Sequence, residues 1–345
     1  MDDFARAATR LTTIILDRID GERLLVLGDL DALDAGTVSD AADDRACQFV
    51  TPWLHLSREV ASVGLDAEHA DWTDRTADAA VVYACKAREE LDMRLANAAA
   101  AVGDDGTVVL VGHNKLGITS LAKRARQSFR SVERIESARH CGAFALQGWT
   151  GEASRLSREA WWSQRRCELT GLTLFEAPGV FSRGHLDDGT ARLIGALKHQ
   201  RTGRMLDVCC GGGVIGLREA ARTPELEVVL SDVHAGAIAS ARRSAAANGL
   251  AERVTVVAGD VYDGVTPRFQ TIVCNPPFHS GSDQSLEVGL RVISEAGTIL
   301  SNGGELILVA NRFLAYAEPL SAAFERVDVL SEDGRFRVWR GRRPR

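Results

Sequence analysis

Leu206-Asp207-Val208-Cys209-Cys210-Gly211-Gly212-Gly213-Val214-Ile215-Gly216 reads as a buried strand, a glycine-rich turn and the start of a helix. Glycines there permit positive φ and let the backbone approach a ligand closely. In an open α/β sheet such a turn lies at the carboxyl ends of the strands, where ligands bind. Outward from it, strand and helix alternate. The apolar runs predict strands at 204–209, 227–231, 253–257, 269–274, 305–310, 326–330 and 335–340. The amphipathic stretches predict helices at 188–199, 214–221, 235–248 and 283–301. That alternation implies a mostly parallel sheet with right-handed crossovers. The last two strands have no helix between them and would close it as an antiparallel edge.

Two cofactors compete for the turn. Gly211, Gly213 and Gly216 satisfy the spacing of the dinucleotide fingerprint, but glycine-rich turns are common in α/β proteins. Asp207 ahead of the glycines fits an S-adenosylmethionine turn instead. Asp232 ends the next strand and is placed to accept hydrogen bonds from ribose hydroxyls. Gly259-Asp260-Val261 follows the third strand and suits an adenine ring with its exocyclic amine.

The next motif decides between them. Asn275-Pro276-Pro277-Phe278 follows directly on the strand Thr271-Ile272-Val273-Cys274. A carboxamide oxygen and the Pro276 carbonyl can both accept hydrogen bonds from an NH2 group. The prolines stiffen the backbone and remove competing donors, and Phe278 offers a stacking face. Aiming an amine lone pair at a methyl carbon is catalysis by positioning. Hydride transfer has no use for these residues, so methyl transfer is the better reading. His279 stands just beyond, where a lone histidine is more often a surface residue than a substrate contact.

The first half echoes the second. Gly106-Thr107-Val108-Val109-Leu110-Val111-Gly112-His113-Asn114 and Gly304-Glu305-Leu306-Ile307-Leu308-Val309-Ala310-Asn311 are both buried strands ending in Asn. Each follows a helix and precedes another helix and a strand-like run. The spacing of roughly 200 residues indicates a duplicated domain and not a short repeat.

Composition is consistent with this and excludes several classes. The 345 residues, 45% hydrophobic and 26% charged, suit two globular domains. No apolar run approaches the roughly 20 residues of a membrane helix. The acidic, mixed start is not a secretory signal. Seven cysteines without a CxxC pair fit neither a disulfide framework nor a zinc site. We therefore expect a cytoplasmic protein with no metal and no membrane partner. The net charge of −6 is uneven: residues 1–100 carry −10 and the remainder +4.

Taken together, the motifs resemble the bacterial ribosomal RNA guanine-N2 methyltransferases with tandem methyltransferase-like domains. The small-subunit member is the better likeness and the large-subunit relative the near neighbour. The likeness takes in Pro178-Gly179-Val180-Phe181-Ser182, Leu186-Asp187-Asp188-Gly189-Thr190, Asn275-Pro276-Pro277-Phe278-His279 and Gly303-Gly304-Glu305-Leu306. It continues through Val309-Ala310-Asn311 and reaches back to Val111-Gly112-His113-Asn114-Lys115 and Ala138-Arg139-His140-Cys141-Gly142. The resemblance implies an α/β fold of two tandem Rossmann-like class I methyltransferase domains, the C-terminal one with a seven-stranded, mostly parallel sheet. Residues 1–147 would be a degenerate domain without a cofactor site that supports RNA binding. Residues 148–175 would link it to a catalytic domain at 176–345.

By the same resemblance S-adenosylmethionine is the cofactor, with Phe181, Asp187 and Gly189 covering its methionine end. Asp207, Cys209, Gly211, Gly213, Asp232, Asp260, Val261 and Asn275 complete the expected cofactor site. Asn275, Pro276, Pro277 and Phe278 form the catalytic set. The first half has a single glycine in Leu24-Leu25-Val26-Leu27-Gly28-Asp29, and Val81-Val82-Tyr83-Ala84 does not lead into Asn-Pro-Pro-Phe. One departure matters: Cys209 stands where the family loop has glycine, so crowding or backbone strain is expected.

The expected partner is ribosomal RNA or a ribosomal subunit, 30S before 50S, met by a monomer. Lys115, Lys123, Arg124, Arg126, Arg130 and Arg134 form one basic cluster; Arg335, Arg337, Arg340, Arg342, Arg343 and Arg345 form another. Such clusters give salt-sensitive phosphate contacts, and the target base must leave its stack to reach Asn275. Two alternatives stand beside this reading. One is another NH2 acceptor, a protein glutamine or a small molecule. The other is a non-catalytic RNA-binding or assembly protein whose cofactor site Cys209 has impaired.

Overall fold

The computed structural model describes residues 3–16, 19–29, 35–41, 45–266, 268–277 and 283–344. Phe278 and His279 lie outside the described residues. The chain divides into two compact units, Met1–Trp162 and Ser163–Arg345.

The first unit opens with α1 (Asp3–Leu16), β1 (Arg23–Leu27), α2 (Ala35–Ala41), β2 (Ala46–Thr51), α3 (Leu54–Ser62) and β3 (Asp66–His69). It continues with β4 (Ala79–Tyr83), α4 (Arg88–Val102), β5 (Thr107–His113), α5 (Ile118–Ala125), β6 (Phe129–Ala138) and β7 (Cys141–Trp149). Its strands form one seven-stranded sheet in the order β3-β2-β1-β4-β5-β7-β6.

In the second unit a hairpin, β8 (Ser163–Arg166) and β9 (Thr173–Glu176), precedes α6 (Asp188–Ala196) and β10 (Arg204–Val208). Then come α7 (Val214–Arg222), β11 (Glu227–Asp232), α8 (Ala235–Ala247), β12 (Val254–Ala258) and β13 (Phe269–Cys274). The chain ends with α9 (Asp283–Ile299), β14 (Leu300–Asn311), α10 (Ala317–Ala323), β15 (Phe324–Glu332) and β16 (Phe336–Pro344). The sheet order is β12-β11-β10-β13-β14-β16-β15. The two sheets therefore share one topology.

Burial makes these strands legible in the sequence. Central strands β10, β13 and β14 are covered on both faces, so they appear in the sequence as near-continuous apolar runs. β14, β15 and β16 pair antiparallel as expected, but β16 inserts between the other two, leaving β15 as the edge. Residues 148–175 fall on both sides of the division, and the part beyond Trp162 is ordered as the β8–β9 hairpin. Two polar residues of α8 and its C-cap Asn248 hold that hairpin. Ser240, Ser244 and Asn248 accept hydrogen bonds from the backbone N–H groups of Ala177, Phe175 and Thr173, at 3.0, 2.9 and 3.0 Å. At spacing i, i+4, i+8 they lie along one helix face. The following segment is tied back through buried Glu176, which accepts from the Gly184 N–H at 2.8 Å and pairs with Arg165.

Candidate active site

The loop after β10 is closed by backbone and carboxylate hydrogen bonds. Cys210 N–H donates to the Ser231 carbonyl (3.0 Å), Gly211 N–H to Asp232 Oδ2 (2.8 Å) and Gly213 N–H to the Cys210 carbonyl (2.8 Å). Gly211 and Gly213 adopt φ of 54° and 80°, which only glycine reaches without strain. A Cβ on Gly211 or Gly212 would meet nothing within 4 Å, whereas one on Gly216 would lie 2.3 Å from Leu230 Cδ2. The first two glycines thus leave an open cradle, and the third lets α7 pack closely on β11.

Cys209 has a φ of 56°. A cysteine in the left-handed region carries a strain of about 1–2 kcal/mol, which is the cost the sequence led us to expect. The loop hydrogen bonds are nonetheless all made.

Asp207 sits inside the unit, with no exposed surface. Its Oδ2 accepts from Gly216 N–H at 2.9 Å, and its Oδ1 is buried with no partner among the described residues. Burial raises its carboxyl to about 7; the Gly216 N–H offsets part of that rise and the nearby Asp232 charge adds to it. The residue faces α7, so it shapes the turn from beneath. Asp232 Oδ1 accepts from His234 N–H at 2.9 Å while Oδ2 holds the loop, and the half-buried carboxylate borders the cradle. Beyond β12, Asp260 pairs with Arg291 of α9 at 2.8 Å, and buried Val261 takes a φ of 56°.

Asn275 follows β13, beside β10, where the last registered pair is Val208 with Cys274. Its Nδ2 donates to Asp187 Oδ2 at 3.0 Å and to Thr190 Oγ1 at 2.8 Å. Its Oδ1 is buried and has no partner among the described residues. Pro276 is buried and Pro277 half-buried. Asp187 also caps α6, accepting from Thr190 N–H at 2.9 Å. Gly189 fits closely on that turn, since a Cβ there would lie 3.0 Å from Asp187 Oδ2 and 3.3 Å from Phe336 Cε1. Phe181 is about half exposed.

Thus the structure gathers Asp187, Gly189 and Asn275 at one end of β13 and Asp207, Cys209, Gly211, Gly213 and Asp232 at the adjacent end of β10. Thr190 was missed in the sequence. The only available clue was its place one turn after an N-capping Asp.

These residues fit S-adenosylmethionine: the cradle is open where a Cβ would meet nothing, a carboxylate borders it, and an orphaned amide oxygen stands at its edge. Among the described residues no group of three or more His, Cys, Asp or Glu side chains is arranged to hold a metal ion. No helix among them is long and apolar enough to cross a membrane.

The basic clusters fare differently. Arg340 and Arg342 pair with Asp328, Arg337 with Glu332, Arg335 with Asp188 and Arg343 with Glu325. These five C-terminal arginines each face an acid, with Asp328 shared between Arg340 and Arg342; Arg345 lies outside the described residues. In the other cluster Arg124 pairs with Asp92. Lys115, Lys123, Arg126 and Arg130 are exposed and have no ion pair among the described residues.

Residues 171–340 match the methyltransferase small domain family and residues 15–165 the methyltransferase small domain N-terminal family. The ribosomal RNA small subunit methyltransferase C of Enterobacter sp. (strain 638) is 35% identical over 327 residues, spanning 94% of this chain and 93% of its own. The protein of the same name from Salmonella choleraesuis (strain SC-B67) is 34% identical over 328 residues, with coverage of 94% and 93%. A solved T. thermophilus 16S rRNA N2 G1207 methyltransferase, in complex with AdoMet and guanosine, superposes with a TM-score of 0.81. Its identity is 25%, over 96% of this chain and 92% of that one.

Proposed function

From the premise that this chain belongs to the ribosomal RNA small subunit methyltransferase C family, we propose that it methylates the exocyclic N2 amine of a guanine in 16S ribosomal RNA. The observation that carries this reading is the Asn275 carboxamide, whose Nδ2 donates to two acceptors and whose buried Oδ1 has no partner among the described residues. A buried orphan acceptor costs about 1–3 kcal/mol, and an NH2 group entering the site would remove that cost.

S-adenosylmethionine, when bound, supplies a methyl group made electrophilic by its sulfonium. Gly211 and Gly212 would leave room for it, Asp232 would accept from its ribose, and Asp207 holds the loop's shape from below. Asp260 and Val261 border the adenine, and Phe181, Asp187 and Gly189 the methionine end. Asn275 Oδ1 and the Pro276 carbonyl would accept hydrogen bonds from the two amine N–H groups, which would orient the nitrogen lone pair for transfer. Pro276 and Pro277 offer no N–H that would compete. After transfer the amine releases a proton to water, so no strong general base is needed. Phe278, the aromatic of the motif, would offer the base a stacking face.

The catalytic domain is the unit Ser163–Arg345. The unit Met1–Trp162 is a companion domain without cofactor chemistry that helps hold RNA through Lys115, Lys123, Arg126 and Arg130. The substrate is the 30S particle, met by a monomer in the cytoplasm, and the target is the guanine that the T. thermophilus relative modifies.

Incubating radiolabelled S-adenosylmethionine with 30S particles, 50S particles and free 16S RNA, then mapping the label, tests this. Label should enter a 16S guanine in the 30S particle. Asn275→Ala should lower the rate roughly 100-fold, the scale on which one aligned hydrogen-bonding group acts in catalysis. Absence of label from all three substrates, or a wild-type rate in the variant, would overturn the reading.

A further inference from the structure

A primary amide can turn by 180° about its last torsion and exchange its oxygen and nitrogen. In one orientation Asn275 offers an acceptor to an amine; in the other it offers two donors and repels it. The catalytic reading therefore depends on something that holds the amide one way round.

The turn before α6 does this. Asp187 Oδ2 and Thr190 Oγ1 lie 3.0 and 2.8 Å from Asn275 Nδ2, one for each amide proton. An ionised carboxylate is acceptor-only, so a reversed amide would set its oxygen against Asp187. Thr190 is 7% exposed, so water is a poor substitute for its hydroxyl. The same Asp187 oxygen receives Thr190 N–H at 2.9 Å, which fixes both acceptors relative to each other. Gly189 admits the turn because any larger residue would press on Asp187 and Phe336.

We propose that Thr190 is a positioning residue for methyl transfer, acting with Asp187 to keep Asn275 Oδ1 turned toward the acceptor amine. The inference rests on the proposed function and deepens it. Asp187 caps a helix and borders the cofactor, so Thr190 is the cleaner probe.

Thr190→Val keeps the shape and removes the acceptor. With 30S particles as substrate, kcat should fall about tenfold, the worth of one hydrogen bond. KM for the particle and calorimetric affinity for S-adenosylmethionine should stay unchanged. Thr190→Ser keeps the hydroxyl, loses the methyl, and should restore kcat. Should the valine variant fail to fold, Thr190→Ala against Thr190→Ser gives the same comparison. A wild-type kcat in Thr190→Val, or a serine variant as slow as the variant lacking the hydroxyl, would sink the positioning role. A wild-type protein that labels no particle would instead sink the proposed function, so the two failures are distinct.

Discussion

Two residues of the cofactor loop are held at an energetic cost, and each cost can be measured. Asp207 is buried, with its carboxyl raised to about 7 mainly by that burial. A carboxyl normally titrates near 3.9. Below that pH both folded and unfolded chains hold the proton, and Asp207 costs nothing. As pH rises toward 7 the unfolded chain releases it first, so the fold binds more protons and loses stability. Above 7 the full cost persists. Asp207→Asn removes the titration and keeps an acceptor for Gly216 N–H. Urea unfolding at pH 4 and pH 8 should show the variant gaining stability relative to wild type as pH rises. A constant difference between the two proteins would refute the burial argument. Cys209 stores a different cost, in its φ of 56°. Cys209→Gly should raise the stability of the second unit by about 1 kcal/mol and tighten S-adenosylmethionine binding. A melt and a titration unchanged from wild type would mean that the neighbouring backbone has absorbed the strain.

At the level of elements, the strand–loop–helix unit makes opposite demands on two neighbouring glycines. Gly216 faces β11, and a Cβ there would lie 2.3 Å from Leu230 Cδ2 and 3.0 Å from Val228 Cγ1. Gly216→Ala should therefore cost about 1–3 kcal/mol of stability, as overpacking does. At Gly212 an added Cβ meets nothing within 4 Å. Gly212→Ala should leave the melting temperature in place and weaken cofactor binding, because the new methyl fills the cradle. Equal effects of the two variants on stability would contradict the division between packing and cradle. This division was only partly legible in the sequence, where the glycines differ by spacing alone. β10, β13 and β14 were legible because double burial writes itself as apolar runs. The docking of the β8–β9 hairpin was not, because Ser240, Ser244 and Asn248 are polar and read as a solvated face. Nor was the pairing of Arg335, Arg337, Arg340, Arg342 and Arg343 with acids brought close by folding. The Asn275 motif was legible as chemistry, but its orientation by Thr190 depends on a contact 85 residues away in sequence.

Across the whole molecule, two sheets of one topology ask whether one or two cofactors bind. Each unit has the same last registered pairs between its first and fourth strands, Leu27 with Val82 and Val208 with Cys274. One step beyond them stand Tyr83 in the first unit and Asn275 in the second. Tyr83 is 3% exposed, its hydroxyl bonded to Thr12 of α1, so it presents no free acceptor. Along the first strand, Val26 takes the place of Asp207. The space beside Gly28 is filled by Arg94 of α4, whose Nη1 lies 3.0 Å from where a Gly28 Cβ would stand. Burial works against the charge on Arg94, but Asp29 and Glu90 more than offset it and raise its pKa. That ion group is itself structure. Arg94→Leu would remove the buried cation that pairs with Asp29 and Glu90, and should destabilise the first unit by about 3 kcal/mol, read as faster amide exchange in α4. It should not create a second site, because Val26 and Tyr83 remain. Calorimetric titration of S-adenosylmethionine should therefore give one equivalent per chain in both wild type and Arg94→Leu. A stoichiometry of two in the wild type would show that the first unit had kept a cofactor site without the loop, the carboxylate or the amide that the second unit uses.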